Sequence, residues 1–205
     1  MKTKKKLIVG ITGGIGAGKT EVCKMLAKRG FKVFYSDLTA KNLYISDKKL
    51  VAGIVKLFGK EILNYKGKII LPKLKEKIFS SKKNYQALNK LVHPVVIEYL
   101  NKEAKKSKFD IVIIESALLF ESGFNRDMDY LVTIYSNKKN RVNRLMIRDE
   151  ASSGEINNLM KFQIDEKKKM AMSDFVLMNN KTLGDLKIQV DFLSKVLKSL
   201  NQPLP

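Results

Sequence analysis

The sequence predicts an α/β fold with a parallel five-stranded core, and three observations carry that prediction. Strand-like runs recur at 7–11, 32–35, 109–114, 130–135 and 175–178, with helical periodicity between them. The first run leads straight into a glycine-rich turn and then a helix, the unit with which such sheets begin. The third is apolar at every position but Asp110, the way a strand buried on both faces reads.

The glycine-rich turn is Gly13-Gly14-Ile15-Gly16-Ala17-Gly18-Lys19-Thr20, which fits the phosphate-loop pattern G-x-x-x-x-G-K-[ST] without mismatch. Its flanks fit as well. Leu7 to Ile11 reads as a buried strand, and Glu21 to Lys28 as a helix with Val22, Met25 and Leu26 inward. Glycines let the backbone turn tightly and aim successive N–H groups at one anion, and the following helix adds its positive dipole end. Lys19 is placed to bridge the β- and γ-phosphates of a nucleoside triphosphate, and the Thr20 hydroxyl to hold Mg²⁺. A glycine-rich turn that binds nothing does not account for a Lys-Thr pair at that offset.

Gly30 reads as a helix stop and Lys32 to Tyr35 as a second strand. Ser36-Asp37 follows at the strand's carboxyl end, where open α/β sheets place their ligands. Either residue can cap the next helix, and Asp37 can equally accept a proton from a substrate hydroxyl. From Lys41 to about Ser107 the pattern is helical: Leu50, Ile54, Leu57 and Phe58 form one apolar face, Leu74, Ile78 and Phe79 another. Leu88, Leu91 and Val92 lead to His93-Pro94, and Val95, Val96, Tyr99 and Leu100 continue beyond. Pro94 suits the first turn of a new helix, which leaves His93 as a helix-start residue or a substrate contact.

The third strand ends at Glu115, followed by Ser116-Ala117-Leu118-Leu119-Phe120-Glu121. A carboxylate there is placed for a second Mg²⁺ contact or a water anchor. After the fourth strand, Arg141, Arg144 and Arg148 fall at i, i+3 and i+7, on one helix face. Such a stripe is either a solvated face or, beside a triphosphate site, a lid that neutralises charge during transfer. Phe175 to Met178 is the fifth strand, Asn179-Asn180 its end, Leu183 to Leu200 a closing helix, and 201–205 a frayed tail.

Composition bounds the rest. The 205 residues, 44% of them apolar, suit one folded domain, and no apolar run approaches the roughly 20 residues of a membrane span. Basic Met1 to Lys6 precedes too short an apolar core for a signal peptide. Cys23 is the only cysteine, which excludes a disulfide within the chain and suits a reducing cytoplasm. The absence of His and Cys clusters argues against structural zinc. A net charge of +20 raises nucleic-acid binding, but the lysines are dispersed and no recognition module accompanies them, so a Lys-rich proteome together with a substrate pocket for phosphates is preferred.

Taken together, Thr12 through Thr20, Asp37, Val92-His93-Pro94, Leu118-Leu119-Phe120-Glu121, Arg144 through Arg148-Asp149, Gln163, Asp174 and Asn179 resemble the dephospho-coenzyme A kinase family over nearly the whole chain. The resemblance implies transfer of the ATP γ-phosphate to a ribose 3′-hydroxyl of dephospho-coenzyme A, the last step of coenzyme A synthesis. It implies strand order 2-3-1-4-5 in a phosphate-loop kinase fold. A helical insert near 40–107 would hold the acceptor, and a lid would lie near 137–165. By the same likeness Asp37 is the catalytic base, assisted by Lys19, Arg144 and Arg148. The loop from Gly13 to Thr20 and Asn179 bind ATP, and His93, Leu118 and Glu121 contact the acceptor. The chain departs from the family pattern at Tyr35, where an Asp is usual. It departs again at Glu115 and Ala117, where Asp and Pro are usual, and at Leu71 in place of an Arg. A regulatory GTPase is disfavoured: no Asp lies three residues before a glycine, and Asn180-Lys181-Thr182-Leu183 lacks the guanine-reading Asp.

Overall fold

The computed structural model describes residues 6–149 and 152–202, so Met1 to Lys5 and the end of the expected frayed tail lie outside the described residues. In chain order the elements are β1 (Leu7–Thr12), α1 (Lys19–Ala27), β2 (Lys32–Tyr35), α2 (Ser36–Ser46), α3 (Lys48–Phe58), α4 (Leu71–Phe79) and α5 (Lys82–Lys106). There follow β3 (Ile111–Glu115), β4 (Tyr130–Tyr135), α6 (Lys138–Asp149), α7 (Ser153–Met160), α8 (Glu166–Ala171), β5 (Phe175–Met178) and α9 (Leu183–Leu200). Single 3₁₀ turns lie at Lys60–Ile62 and Phe124–Asp127. The chain forms two compact units, one running up to Tyr35 and resuming at Glu103, the other being Ser36–Lys102.

The first unit is built on the five strands, all parallel, in the order β2-β3-β1-β4-β5. Alternation along the strands explains its core. Leu7, Val9 and Ile11 of β1, Ile111 and Ile113 of β3, and Val132 and Ile134 of β4 share one buried cluster. Val22, Cys23 and Leu26 of α1 complete that cluster with Leu186, Val190, Leu193 and Leu197 of α9, the latter spaced four, three and four apart. Each such side chain contributes about 1.5–3 kcal/mol by leaving water. On the opposite face of β1, Gly10 leaves room for Leu119: a Cβ there would lie 2.7 Å from Leu119 Cδ2.

Two expectations are corrected. The third strand begins at Ile111 rather than Phe109: the pairing with β1 starts at Leu7 and Ile111, and Phe109 is exposed to solvent. Pro94 does not open a helix; it lies inside α5. The ring removes one helical hydrogen bond, yet Leu88, Val92, Val96 and Leu100 are all buried at spacings of four. That continuous buried stripe outweighs the missing bond. In the second unit, Leu50, Ile54 and Phe58 of α3 and Leu74 and Ile78 of α4 face inward as expected, whereas Leu57, Phe79 and Tyr99 are exposed. None of the described helices is long and apolar enough to cross a membrane.

Candidate active site

The loop between β1 and α1 takes its shape from glycine. Gly13, Gly16 and Gly18 have φ of 141°, 79° and 99°, a region that side chains disfavour. A Cβ on Gly13 would also lie 2.3 Å from the Ile134 carbonyl oxygen. The Gly14 carbonyl accepts the Ala17 N–H at 3.0 Å, which closes the turn. No acceptor among the described residues takes the amide hydrogens of Gly16, Gly18, Lys19 or Thr20. Four amides converging at a helix N-terminus form an anion cradle.

Lys19 is 9% exposed. Its ammonium donates to the carbonyls of Gly13 at 3.0 Å and Gly14 at 3.4 Å, and lies 3.7 Å from Glu115 Oε1. Glu115 ends β3, which pairs with β1 at Ile11 and with β2 at Tyr35, so the sheet register itself brings the carboxylate to the loop. Burial raises the Tyr35 phenol's pKa, with Cys23 and Glu115 adding to it. Burial likewise raises the Cys23 thiol, which Glu115 pushes further up and Lys19 draws back. Cys23 is therefore a packed hydrophobe and no nucleophile. Thr20 is exposed in the first turn of α1. The described residues hold no cluster of three or more His, Cys, Asp and Glu. An exposed hydroxyl with one nearby carboxylate nevertheless suits Mg²⁺, which takes few protein ligands and fills its sphere with phosphate oxygens and water.

Asn179 follows β5, and its Nδ2 donates to the Ala17 carbonyl at 2.8 Å, fixing the distal side of the loop. Arg144 gathers the same region. Its guanidinium donates to Gly16 O at 3.3 Å, Ser136 Oγ at 3.1 Å, and Asn179 O and Oδ1 at 2.9 and 3.3 Å. Arg141, one turn earlier on α6, is 5% exposed, so the stripe is no solvated face at its start. Arg148 is different: its side chain is exposed and forks onto neighbouring Asp149 at 2.7 Å through both Nε and NH2.

The structure thus brings Gly13 to Thr20, Asn179 and Arg144 together, with Arg148 further along α6. Leu118 is partly exposed in the turn after β3, and its N–H donates to Ser116 Oγ at 3.3 Å. Glu121 is turned onto Lys169, whose ammonium lies 3.1 Å from its Oε1. Asp37 and His93 belong to the other unit. Asp37 stands exposed in the first turn of α2, and its carboxylate accepts no hydrogen bond among the described residues, as a capping side chain would. Burial, and then Asp37, push the Tyr44 phenol up to about 12. Sequence reasoning passed over Glu166, which reaches Gly14, Ser136, which holds Arg144, and Lys169, which reaches Ala117 and Glu121; none carries a local signal.

Comparison with known proteins converges on one family. A family model described as dephospho-CoA kinase matches residues 7–185. Proteins named dephospho-CoA kinase from Fusobacterium nucleatum and Chlorobaculum tepidum are 38% and 35% identical, covering 88% and 93% of this chain and 93% and 95% of their own. A solved Thermus thermophilus structure superposes with a TM-score of 0.80 at 29% identity, covering 96% of this chain and 99% of its own. A shikimate kinase from Acinetobacter baumannii shares the fold alone, with a TM-score of 0.58 at 15% identity over 98% and 97% of the two chains. With a lysine-bearing phosphate loop at the head of a 2-3-1-4-5 parallel sheet and relatives spanning nearly all its length, this chain belongs to the dephospho-CoA kinase family.

Proposed function

We propose that this protein transfers the γ-phosphoryl group of ATP to the ribose 3′-hydroxyl of dephospho-coenzyme A, completing coenzyme A. The observation that carries this reading is the four-amide cradle beside Lys19 in a chain whose relatives bear that activity in their names. The loop from Gly13 to Thr20 binds the phosphates, and Lys19 swings from the Gly13 and Gly14 carbonyls to the transferring group. Thr20, with Glu115 as a further anchor, would hold Mg²⁺, which would supply charge neutralisation to the transferring phosphates. Asn179 lies on the nucleotide side of the loop. Arg144 and Arg148 serve the region 137–165 as a lid, their guanidinium forks matched to phosphate oxygens. His93 of the helical unit is assigned to the acceptor, as are Leu118 and Glu121. Asp37 is the general base, an exposed carboxylate not spent on a helix cap. The protein acts in the cytoplasm on small molecules, without specific nucleic-acid binding.

The test is Asp37→Asn, which is nearly isosteric and keeps any capping capacity. A positioned base contributes about 10²–10⁴-fold, so kcat for dephospho-coenzyme A falls by that order while ATP affinity and Tm hold. A fully active variant removes Asp37 from the chemistry. Preference of the wild-type protein for another acceptor in a panel of nucleosides, nucleotides and shikimate overturns the substrate assignment.

A further inference from the structure

The proximal end of the phosphate loop is gripped by side chains far away in sequence, from α6, from α8 and from the bend between α7 and α8. The Gly14 N–H donates to Glu166 Oε2 at 3.2 Å, and the Ile15 N–H donates to Gln163 Oε1 at 2.9 Å. Arg141 of α6 closes the arrangement: its Nε donates to the Ile15 carbonyl at 2.9 Å, and its NH1 lies 3.1 Å from Glu166 Oε1. Both charges are withdrawn from water, with side-chain exposures of 6% and 16%. Gly14 has no side chain because this pair fills the space: a Cβ there would lie 2.4 Å from Glu166 Oε1 and 2.5 Å from Arg141. The loop's amides are therefore divided. Those of Gly14 and Ile15 are committed to side chains, while those of Gly16, Gly18, Lys19 and Thr20 have no acceptor among the described residues.

We propose that Arg141 and Glu166 are positioning residues, a strap that fixes the first half of the loop so that the second half presents its amides ready for the β-phosphate. Glycine-rich backbone is the most expensive to order on binding, because it loses the most conformational freedom. A buried, charge-assisted clamp on both the N–H and C=O sides removes that cost before nucleotide arrives. The same geometry admits an opposite role, in which the Glu166 carboxylate is an internal anion that bound phosphate must displace. The strap account differs in sign: weakening the clamp weakens the nucleotide. The proposal rests on the reading of this loop as the ATP site.

Calorimetric titration of the full chain with ADP, alongside steady-state kinetics, separates these roles. Glu166→Gln keeps the shape and an acceptor for the Gly14 N–H but removes the charge held by Arg141. Arg141→Lys keeps the charge but removes the fork. Each variant should weaken ADP binding about tenfold and raise KM for ATP while leaving KM for dephospho-coenzyme A unchanged. The double variant should be little worse than either single, since both cut one linkage. Unchanged ADP affinity overturns the strap, as does a fall in Tm with both KM values intact, which marks a role in folding only. Tighter ADP binding by Glu166→Gln establishes the displaced-anion role instead. If the wild-type protein binds ADP yet leaves dephospho-coenzyme A unphosphorylated, the acceptor assignment fails while the ADP titrations still decide the strap.

Discussion

Lys169 is fully buried, and its ammonium is held by Glu121 Oε1 and the Ala117 carbonyl, each at 3.1 Å. Burial lowers its pKa, an effect that Glu121, by charge and hydrogen bond, and then Glu166 oppose. Glu121 is largely enclosed too: Oε1 also accepts the Ile164 N–H at 2.8 Å, and Oε2 is buried with no hydrogen-bond partner among the described residues. Lys169→Met keeps most of the stem volume and deletes the charge, leaving a carboxylate in low dielectric with one backbone donor. Removing one member of a buried pair costs about 3–5 kcal/mol, because the survivor is uncompensated. In a domain of this size each kcal/mol lowers Tm by about 2–4 °C, so the variant should melt roughly 6–20 °C lower. The double variant Lys169→Met/Glu121→Leu removes both charges and should recover most of that loss. Thermal melts and urea midpoints on the four proteins are the assay. A single variant within about 1 kcal/mol of wild type, or a double variant no better than the single, refutes the reasoning. If Glu121 acts purely on the acceptor, Lys169→Met leaves Tm alone and changes only KM for dephospho-coenzyme A.

Lys19→Ala should cut kcat by about 10²–10³ and, because the ammonium also lies 3.7 Å from the buried Glu115 carboxylate, lower Tm without unfolding the protein; near-normal turnover in the folded variant refutes its role at the transferring phosphate. At the start of α9, Thr182 Oγ1 donates to Asp185 Oδ2 at 2.6 Å and accepts the Asp185 N–H at 3.2 Å. The Thr182 hydroxyl and then its N–H hold the Asp185 carboxyl below the usual aspartate range. A lowered carboxyl pKa stabilises the fold above the ordinary aspartate pKa, and that contribution is lost as pH falls through the lowered value. Thr182→Ala should therefore lower Tm by about 2–4 °C near neutrality, and Asp185 should titrate at higher pH by NMR; an unmoved titration refutes the cap.

What could be read from the sequence was whatever a short window encodes. The phosphate loop, the strand runs and the closing helix are patterns of a few residues, and local sterics and periodicity write them directly. Pro94 was misjudged because the local rule for proline competes with burial at Leu88, Val92, Val96 and Leu100, which is a property of the packed helix. Asp110 reads as strand because its neighbours are apolar, although the pairing of β3 with β1 begins only at Ile111. The arginine spacing was visible, but not that Arg141 would be buried against Ile15 and Glu166 while Arg148 pairs outward with Asp149. The contact of Arg141 with Ile15 joins residues 126 positions apart, and no spacing announces it.

The pairing of β2 directly with β3 has a bearing on how this architecture tolerates change. The two strands are neighbours in the sheet, yet the whole of Ser36–Lys102 is threaded between them as a compact unit of its own. Closing a connection of that length costs only about 0.6 kcal/mol more for each doubling, so the sheet is nearly indifferent to the size of what lies between. A loop held by the register of one unit, with the insertion folding as another, lets the length of chain between β2 and β3 vary at little cost.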